Sequence, residues 1–142
     1  MRFGIIGGGF GYDGHFEALK NIKGVEIVGI PKNKTKKLLS KLKNPKIYCK
    51  SIDSLIKLKP NVITIATPPI NHLSLISKVA QSKIHIVCEK PFCISTDQCI
   101  ESISLVEKFK LNNCINFQNR FEPVSYTHLR AHETVLDVVC RL

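Results

Sequence analysis

Short apolar runs alternate with amphipathic stretches along this chain, and the alternation predicts a series of strands and helices. Five runs are rich in apolar residues, and most of them are apolar on both faces, which is typical of strands buried in a parallel sheet. They are Phe3–Ile6, Val25–Ile30, Val62–Ala66, Ile84–Val87 and Cys114–Phe117, and Ile47–Tyr48 is a weaker candidate for a further strand.

The stretches between these strands carry helix start signals followed by apolar residues at helical spacing. Ser51 starts a short helix that Pro60 stops, and Asn71 is placed to cap a second helix. Ser95 with Gln98 forms a capping box before a third. Strand and helix units repeated in this way predict the α/β fold class, with one doubly wound parallel sheet.

The length of 142 residues indicates one domain, which can bury a core but is small for a complete two-substrate enzyme. No apolar run approaches the roughly 20 residues of a membrane helix. The N-terminus reaches glycines after Ile6 instead of building a signal-peptide core. We therefore expect no membrane partner and a cytoplasmic location.

The six cysteines are scattered, without a CxxC pair or a cysteine-histidine spacing that would hold zinc. The histidines at 128 and 132 lack the glutamate that a metalloprotease motif places directly after the first of them. We expect reduced thiols and no metal site. Cys93, near Lys90, is the one thiol whose reactivity we would test.

The formal net charge of +10 raises the question of nucleic-acid binding, because clustered lysines release counterions from phosphate. Seven lysines fall between positions 32 and 46 with no acid among them. No interleaved aromatic residues or known binding motif accompany them, so a solvated basic helix is favoured and no nucleic-acid partner is expected.

A glycine-rich turn, Gly7-Gly8-Gly9-Phe10-Gly11, follows directly on the first strand and precedes a helical segment around Phe16 and Leu19. Glycines let the backbone approach a pyrophosphate, which then accepts N–H bonds at the positive end of the helix. A glycine-rich turn without a ligand remains the alternative.

The glycines fit a dinucleotide fingerprint in two registers. One uses Gly7 and Gly9 and meets Tyr12 at the third position, and the other uses Gly9, Gly11 and Gly14. The first places the turn correctly after the strand, so we prefer it and treat Gly11 as a displaced third glycine. Tyr12 then puts close packing of helix on strand in doubt.

The end of the second strand bears on the choice between NAD and NADP. An acid about 20 residues past the turn would bind the adenine-ribose hydroxyls of NAD, but Lys32 and Asn33 stand there instead. An ammonium group would better accommodate a ribose phosphate, so NADP is slightly favoured over NAD. Alternatively, these residues only begin the basic helix.

The stretch Glu89-Lys90-Pro91 ends an apolar strand with a carboxylate and an ammonium group. Charges at a strand's exit lie at the carboxyl edge of the sheet, where open α/β sheets bind ligands. A lysine there can donate to a substrate oxygen or take part in proton transfer. The alternative is a solvated turn with both charges fully exposed.

Together with the glycine turn, three further motifs occur in a fixed order. They are Ala66-Thr67-Pro68-Pro69-Ile70-Asn71-His72, Glu89-Lys90-Pro91 and Asn116-Phe117-Gln118-Asn119-Arg120-Phe121. With them the chain resembles, from Met1 to about Pro123, the N-terminal domain of the Gfo/Idh/MocA oxidoreductases. The resemblance implies a single Rossmann domain over residues 1–123 that holds NADP or NAD, with a second α/β domain missing from this chain.

The resemblance also implies roles for individual residues. Lys90 would be catalytic and contact the hydroxyl or carbonyl being oxidised or reduced, Arg120 would lie near the substrate or be a structural ion-pair residue, and a cis bond would precede Pro91. His72 is favoured as a local hydrogen-bonding partner, and His15 is assigned only a helix-start role. The residues implied to bind the cofactor are Gly7, Gly9, Phe10, Gly11, Lys32, Asn33, Thr67, Pro68, Asn71, His72, Glu89 and Gln118.

The activity implied is transfer of hydride between nicotinamide and a sugar, polyol or related small hydroxy compound. The general base would be a histidine of the missing domain, so this chain alone should not turn over, and the full-length protein should be a homo-oligomer. A non-catalytic module that senses dinucleotides or binds partners through the same fold is the alternative.

The pattern changes abruptly after Pro123. The segment beginning Val124-Ser125-Tyr126 does not continue the family's pattern and resembles adapter read-through. We therefore expect residues 124–142 to be a non-native tail and leave them out of the fold prediction.

Overall fold

Six parallel strands form one sheet in the order β3-β2-β1-β4-β5-β6 in the computed structural model, which describes residues 1–31, 48–49 and 51–121. The order confirms the predicted doubly wound sheet, and each predicted strand is present with ends that differ by at most two residues. The strands are β1 Arg2–Ile6, β2 Glu26–Pro31, β3 Tyr48–Cys49, β4 Val62–Ile65, β5 His85–Glu89 and β6 Asn113–Asn116.

The helices follow the strands as the apolar spacing predicts. A π-helical turn, Gly11–Phe16, leads into α1, Glu17–Leu19. The others are α2 Ile52–Lys57, α3 His72–Gln81 and α4 Thr96–Lys108, with 3-10 turns at Pro69–Asn71 and Gln118–Phe121. Within these described ranges no helix is long and apolar enough to cross a membrane. The expected basic helix over 32–46 and the tail 124–142 lie outside the described residues.

The helix caps agree only in part with the sequence prediction. Ser51 and Ser95 have extended backbones, and their hydroxyl oxygens accept hydrogen bonds from the amides of Ser54 and Gln98. The reciprocal half of the capping box is absent, because Gln98 Oε1 is buried without a hydrogen-bond partner among the described residues.

The prediction that the Asn71 side chain caps α3 is wrong. A 3-10 turn, Pro69–Asn71, precedes the helix, so Asn71 already has a helical backbone with φ −95° and ψ −9°. A capping side chain needs the extended conformation that Ser51 adopts at φ −155° and ψ 172°. Asn71 contributes its carbonyl instead, which accepts the Ser74 hydroxyl at 3.0 Å.

The two faces of the sheet are covered by different helices, because successive strand residues point to opposite sides. Helices α2, α3 and α4 cover one face, and the π-helical turn with α1 packs on the other. The larger core includes Ile6, Leu55, Ile63, Ile65, Ile76, Val79, Ile86 and Val106, and the smaller core holds Ile5 and Tyr12 with Phe16, Leu19 and Ile27 packed against them.

The strand order creates a switch point between β1 and β4. From β1 the chain proceeds to β2 and β3 on one side, whereas β4 continues to β5 and β6 on the other. Helices on opposite faces diverge at such a point and leave a crevice at the carboxyl ends of the strands, where ligands bind in open α/β sheets. The glycine turn and the Glu89-Lys90 turn both lie at this edge.

Candidate functional site

The glycine turn is held against the exit of β4. Gly7 has φ +131°, in the region that favours glycine, and a Cβ atom there would lie 2.2 Å from the carbonyl oxygen of Ala66. Gly9, in contrast, has open space around it, because a Cβ atom there would meet nothing within 4 Å. Gly7 therefore makes the sharp turn possible, and Gly9 leaves the backbone open to a ligand.

Gly11 packs the first helix onto β1. A Cβ atom at Gly11 would lie 3.1 Å from Cγ2 of Ile5 and 3.4 Å from Cβ of Ala66. Tyr12 points into the smaller core, where its ring stacks on Phe16 with the centroids 5.1 Å apart. Close helix-strand packing is therefore present despite Tyr12, and the register in which Gly11 serves as the displaced third glycine accounts for it.

Glu89 ends β5 as a buried carboxylate that is only 7% exposed. Its Oε1 accepts hydrogen bonds from Nε2 of His15 at 2.8 Å and from Nδ2 of Asn116 at 2.5 Å. Within the part of the chain that the structure describes, its Oε2 accepts a hydrogen bond only from the amide of Lys90, at 3.4 Å. The alternative of a turn with both charges fully exposed is therefore wrong for Glu89.

Lys90 is exposed at the carboxyl edge, one residue beyond the end of β5. The peptide bond between Lys90 and Pro91 is cis, which confirms what the resemblance implied. The two charges thus separate: the carboxylate is fixed inside, and the ammonium group faces outward, where a substrate oxygen could reach it.

His72 links the loop after β4 to the loop after β5. It is fully buried, with Nε2 2.8 Å from the carbonyl oxygen of Thr67 and Nδ1 3.0 Å from that of Phe92. This confirms a local hydrogen-bonding role. The ring therefore joins the two loops inside the protein, and does not point into an open crevice.

The other predicted site residues are distributed around the same edge. Oγ1 of Thr67 is buried without a hydrogen-bond partner in residues 1–31, 48–49 and 51–121. Pro68 and Asn71 are exposed in the loop that follows β4, and Phe10 is 45% exposed within the glycine turn. Gln118 is exposed in the 3-10 turn after β6. The side chain of Arg120 and all of Lys32 and Asn33 lie outside the described residues.

Two residues of the site were not predicted. His15 was assigned only to the helix start, and Asn116 was quoted within a motif without a role, yet both donate to Glu89. Their separation from Glu89, 74 and 27 positions along the chain, hides the contact from any local pattern. The available signal was a carboxylate at the end of an apolar strand, since a buried charge requires donors.

Cys93 does not have the properties of a reactive thiol. Burial raises the pKa of the Cys93 thiol, and burial raises the pKa of the neighbouring Cys88 to about 12. A thiol must lose its proton to act as a nucleophile, so both stay protonated and unreactive at neutral pH. Among the described residues, no group of three histidine, cysteine or carboxylate side chains could hold a metal ion.

The site has the features that a dinucleotide requires. The first amides of a helix have no partner within the helix, and they follow a turn that is open at Gly9. The unpartnered Thr67 Oγ1 and the free acceptor capacity of Glu89 Oε2 are suited to ligand hydroxyls or amides. Gly9, Thr67 and Glu89 therefore fit a ligand with a diphosphate and a polyhydroxy group.

Relatives of the chain include the uncharacterized oxidoreductase YrbE of Bacillus subtilis, 31% identical over 54% of this chain and 21% of that protein. The rhizopine catabolism protein MocA of Rhizobium meliloti is 25% identical over 87% of this chain and 39% of its own length. The structure of the WlbA dehydrogenase from Bordetella pertussis in complex with NADH and UDP-GlcNAcA superposes with a TM-score of 0.81 at 20% identity, over 94% of this chain and 40% of that one.

The structural match shows the fold, and the family follows from a separate comparison. The chain spans two fifths or less of the length of each of these relatives. A family described as an oxidoreductase family with an NAD-binding Rossmann fold matches residues 1–117. With this match, the chain belongs to the Gfo/Idh/MocA family of oxidoreductases, of which it contains the NAD-binding Rossmann domain.

Proposed function

We propose that this chain binds a nicotinamide dinucleotide across the carboxyl ends of β1, β4 and β5, as the cofactor domain of a dehydrogenase for a sugar, polyol or related hydroxy compound. The observation that carries the proposal is the meeting of two turns at one edge. The glycine turn after β1 touches the exit of β4 through Ala66, and the Glu89-Lys90 turn leaves the neighbouring β5.

The glycine turn would hold the diphosphate. Because Gly9 has no neighbour within 4 Å of a Cβ position, phosphate oxygens can approach its backbone, and the amides at the start of the first helix can donate to them. The Thr67 hydroxyl would lie along the cofactor, with its loop held in place by His72. Oε2 of Glu89 would accept a hydroxyl of the nicotinamide ribose.

Lys90 would act on the substrate oxygen. The nicotinamide supplies the hydride chemistry when it is bound. The exposed Lys90 ammonium, next to the fixed Glu89, would donate a hydrogen bond to the hydroxyl or carbonyl group of the substrate and stabilise negative charge on its oxygen. Alignment of the two reacting carbons would provide much of the remaining rate enhancement.

The substrate class is supported by structural neighbours whose fold this chain shares. One is the WlbA dehydrogenase with NADH and UDP-GlcNAcA, and another is the myo-inositol 2-dehydrogenase of Lactobacillus plantarum, with a TM-score of 0.79 at 18% identity. The chain covers about two fifths of each of these neighbours. We therefore propose that a second domain completes the substrate pocket and mediates homo-oligomer formation, and that this chain alone has no turnover.

A preference for NADP over NAD is the finer part of the proposal. It depends on Lys32 and Asn33, which stand where an acid would bind the hydroxyls of an adenine ribose. An ammonium group there would favour a 2′-phosphate. Neutralising it in Lys32→Gln should weaken NADPH binding and leave NADH binding nearly unchanged.

The proposal is tested by titrating the 142-residue chain with NADH and with NADPH and following nicotinamide fluorescence. We expect saturable binding of both, tighter for NADPH. If neither nucleotide binds, the cofactor assignment is refuted. Equal affinities for NADH and NADPH would refute only the NADP preference. In the completed enzyme, Lys90→Ala should lower kcat far more than it lowers cofactor affinity.

A further inference from the structure

Three elements that are distant in sequence meet at the Glu89 carboxylate. His15 comes from the π-helical turn after the glycine turn, Asn116 from the end of β6, and Glu89 from the end of β5. The side chains of His15 and Glu89 are 11% and 9% exposed. Since an ionised carboxylate only accepts hydrogen bonds, Nε2 of His15 and Nδ2 of Asn116 must be the donors.

The two donors use one oxygen of the carboxylate and leave the other largely free. Both contact Oε1, whereas Oε2 accepts a 3.4 Å bond from the Lys90 amide and no other among the residues that the structure describes. The rotation of the carboxyl group is thereby fixed, and Oε2 keeps the capacity to accept a further hydrogen bond. Such a group is ready to receive a ligand hydroxyl without reorganising.

Phe10 sets the orientation of the His15 ring. The Phe10 ring lies against Gly14, where a Cβ atom would come within 2.7 Å of its Cζ atom. It meets the His15 imidazole edge to face, with the ring centroids 5.6 Å apart and the planes at 85°. The π-helical turn therefore presents Nε2 of His15 to Glu89 in one orientation.

We propose that His15 and Asn116 are positioning residues for the nicotinamide end of the cofactor. By holding Oε1 of Glu89, they fix the carboxylate and the adjoining turn that carries Lys90, so that the helix that receives the diphosphate also sets the geometry of the reacting end. The inference rests on the proposed function. In this role His15 would act through its hydrogen bond to Glu89.

Calorimetric titration of the whole chain with NADH and with ADP separates positioning from folding. ADP keeps the adenosine and the diphosphate but lacks the nicotinamide ribose. Loss of a hydrogen bond to a charged group should make His15→Ala bind NADH about tenfold more weakly, with ADP affinity changed less than about twofold. His15→Gln keeps a donor of similar reach and should recover most of the NADH affinity.

A double-mutant cycle tests whether His15 acts through Glu89. If it does, adding His15→Ala to Glu89→Ala should weaken NADH binding no further, and Asn116→Ala alone should lower the NADH affinity selectively, as His15→Ala does. Thermal melting of each variant records whether it folds.

Equal losses for NADH and ADP in His15→Ala, or additive losses in the double variant, would overturn the positioning role while leaving the proposed function intact. If the wild-type chain binds neither NADH nor ADP, the proposed function and this inference are overturned together. An NADH-selective loss that His15→Gln recovers would support the inference.

Discussion

Replacing Gly7 by alanine tests the geometry of the glycine turn, because the new methyl group has no space. Its Cβ atom would lie 2.2 Å from the Ala66 carbonyl oxygen, 2.6 Å from the carbonyl carbon and 3.2 Å from Cα, all of them backbone atoms. Rotating a side chain cannot relieve such a contact. The exit of β1 and the exit of β4 must move apart.

Two costs add in this variant. A non-glycine residue held at φ +131° loses about 1–3 kcal/mol to backbone strain. Separating the strand exits also weakens the hydrogen bond of 2.7 Å from the Ala66 amide to the Ile6 carbonyl, which is worth about 1 kcal/mol. We therefore expect Gly7→Ala to lower the free energy of unfolding by about 2–4 kcal/mol.

Gly9→Ala is the matched control, two positions further along the same turn. Nothing lies within 4 Å of its Cβ position, so the free energy of unfolding should stay within about 0.5 kcal/mol of the wild type. Urea denaturation of the three proteins measures both effects. If Gly7→Ala proves as stable as Gly9→Ala, the described contact between the glycine turn and β4 is wrong.

Three further predictions concern caps, buried polar groups and thiols. Ser95→Ala should lower the free energy of unfolding by about 1 kcal/mol, whereas Asn71→Ala, which removes no cap, should change it by less than about 0.3 kcal/mol. Equal losses of stability in urea denaturation would contradict the cap assignment. His72→Ala should cost about 3 kcal/mol in the same measurement, because it opens a cavity and removes the imidazole N–H that donates to one of the two loop carbonyls. A loss below about 1 kcal/mol would show that the ring does not join the loops. Because burial raises the pKa of Cys88 from 9.0 to about 12, the unfolded chain releases a proton that the native chain keeps, so stability falls as pH rises above about 9. Under reducing conditions, Cys88→Ala should remove about 1 kcal/mol of the stability lost between about pH 8 and pH 10. Replacing the exposed Cys114 by alanine should leave that loss of stability unchanged. An unaltered pH dependence in the Cys88 variant would refute the raised pKa of Cys88.

The strands and their order could be predicted because local pattern and topology agree. The run Val62–Ala66 is apolar except at Thr64, and its strand Val62–Ile65 is buried throughout, as a central parallel strand must be. The glycine turn was visible for a similar reason, since a sharp turn after a buried strand leaves few residue choices. Even the weak candidate Ile47–Tyr48 corresponds to an edge strand, Tyr48–Cys49.

The contacts that shape the site could not be predicted, because they join residues far apart in sequence. Nothing in the local pattern indicates that His15 contacts Glu89, or that the His72 imidazole joins two loops. The wrong cap at Asn71 has a local cause, since the 3-10 turn before it supplied a helical backbone where an extended one was expected. The doubt about Tyr12 was resolved by Gly11, which provides the close approach one position earlier.

The central claim is that amides following β1 receive the dinucleotide's diphosphate while the Lys90 amine lies beside the nicotinamide. A crystal structure of the whole chain with bound NADH tests it most directly. We predict phosphate oxygens within hydrogen-bonding distance, about 3 Å, of amides between Gly9 and Gly11, with the nicotinamide next to Glu89 and Lys90. A diphosphate bound elsewhere, or a nicotinamide remote from Lys90, would contradict the account.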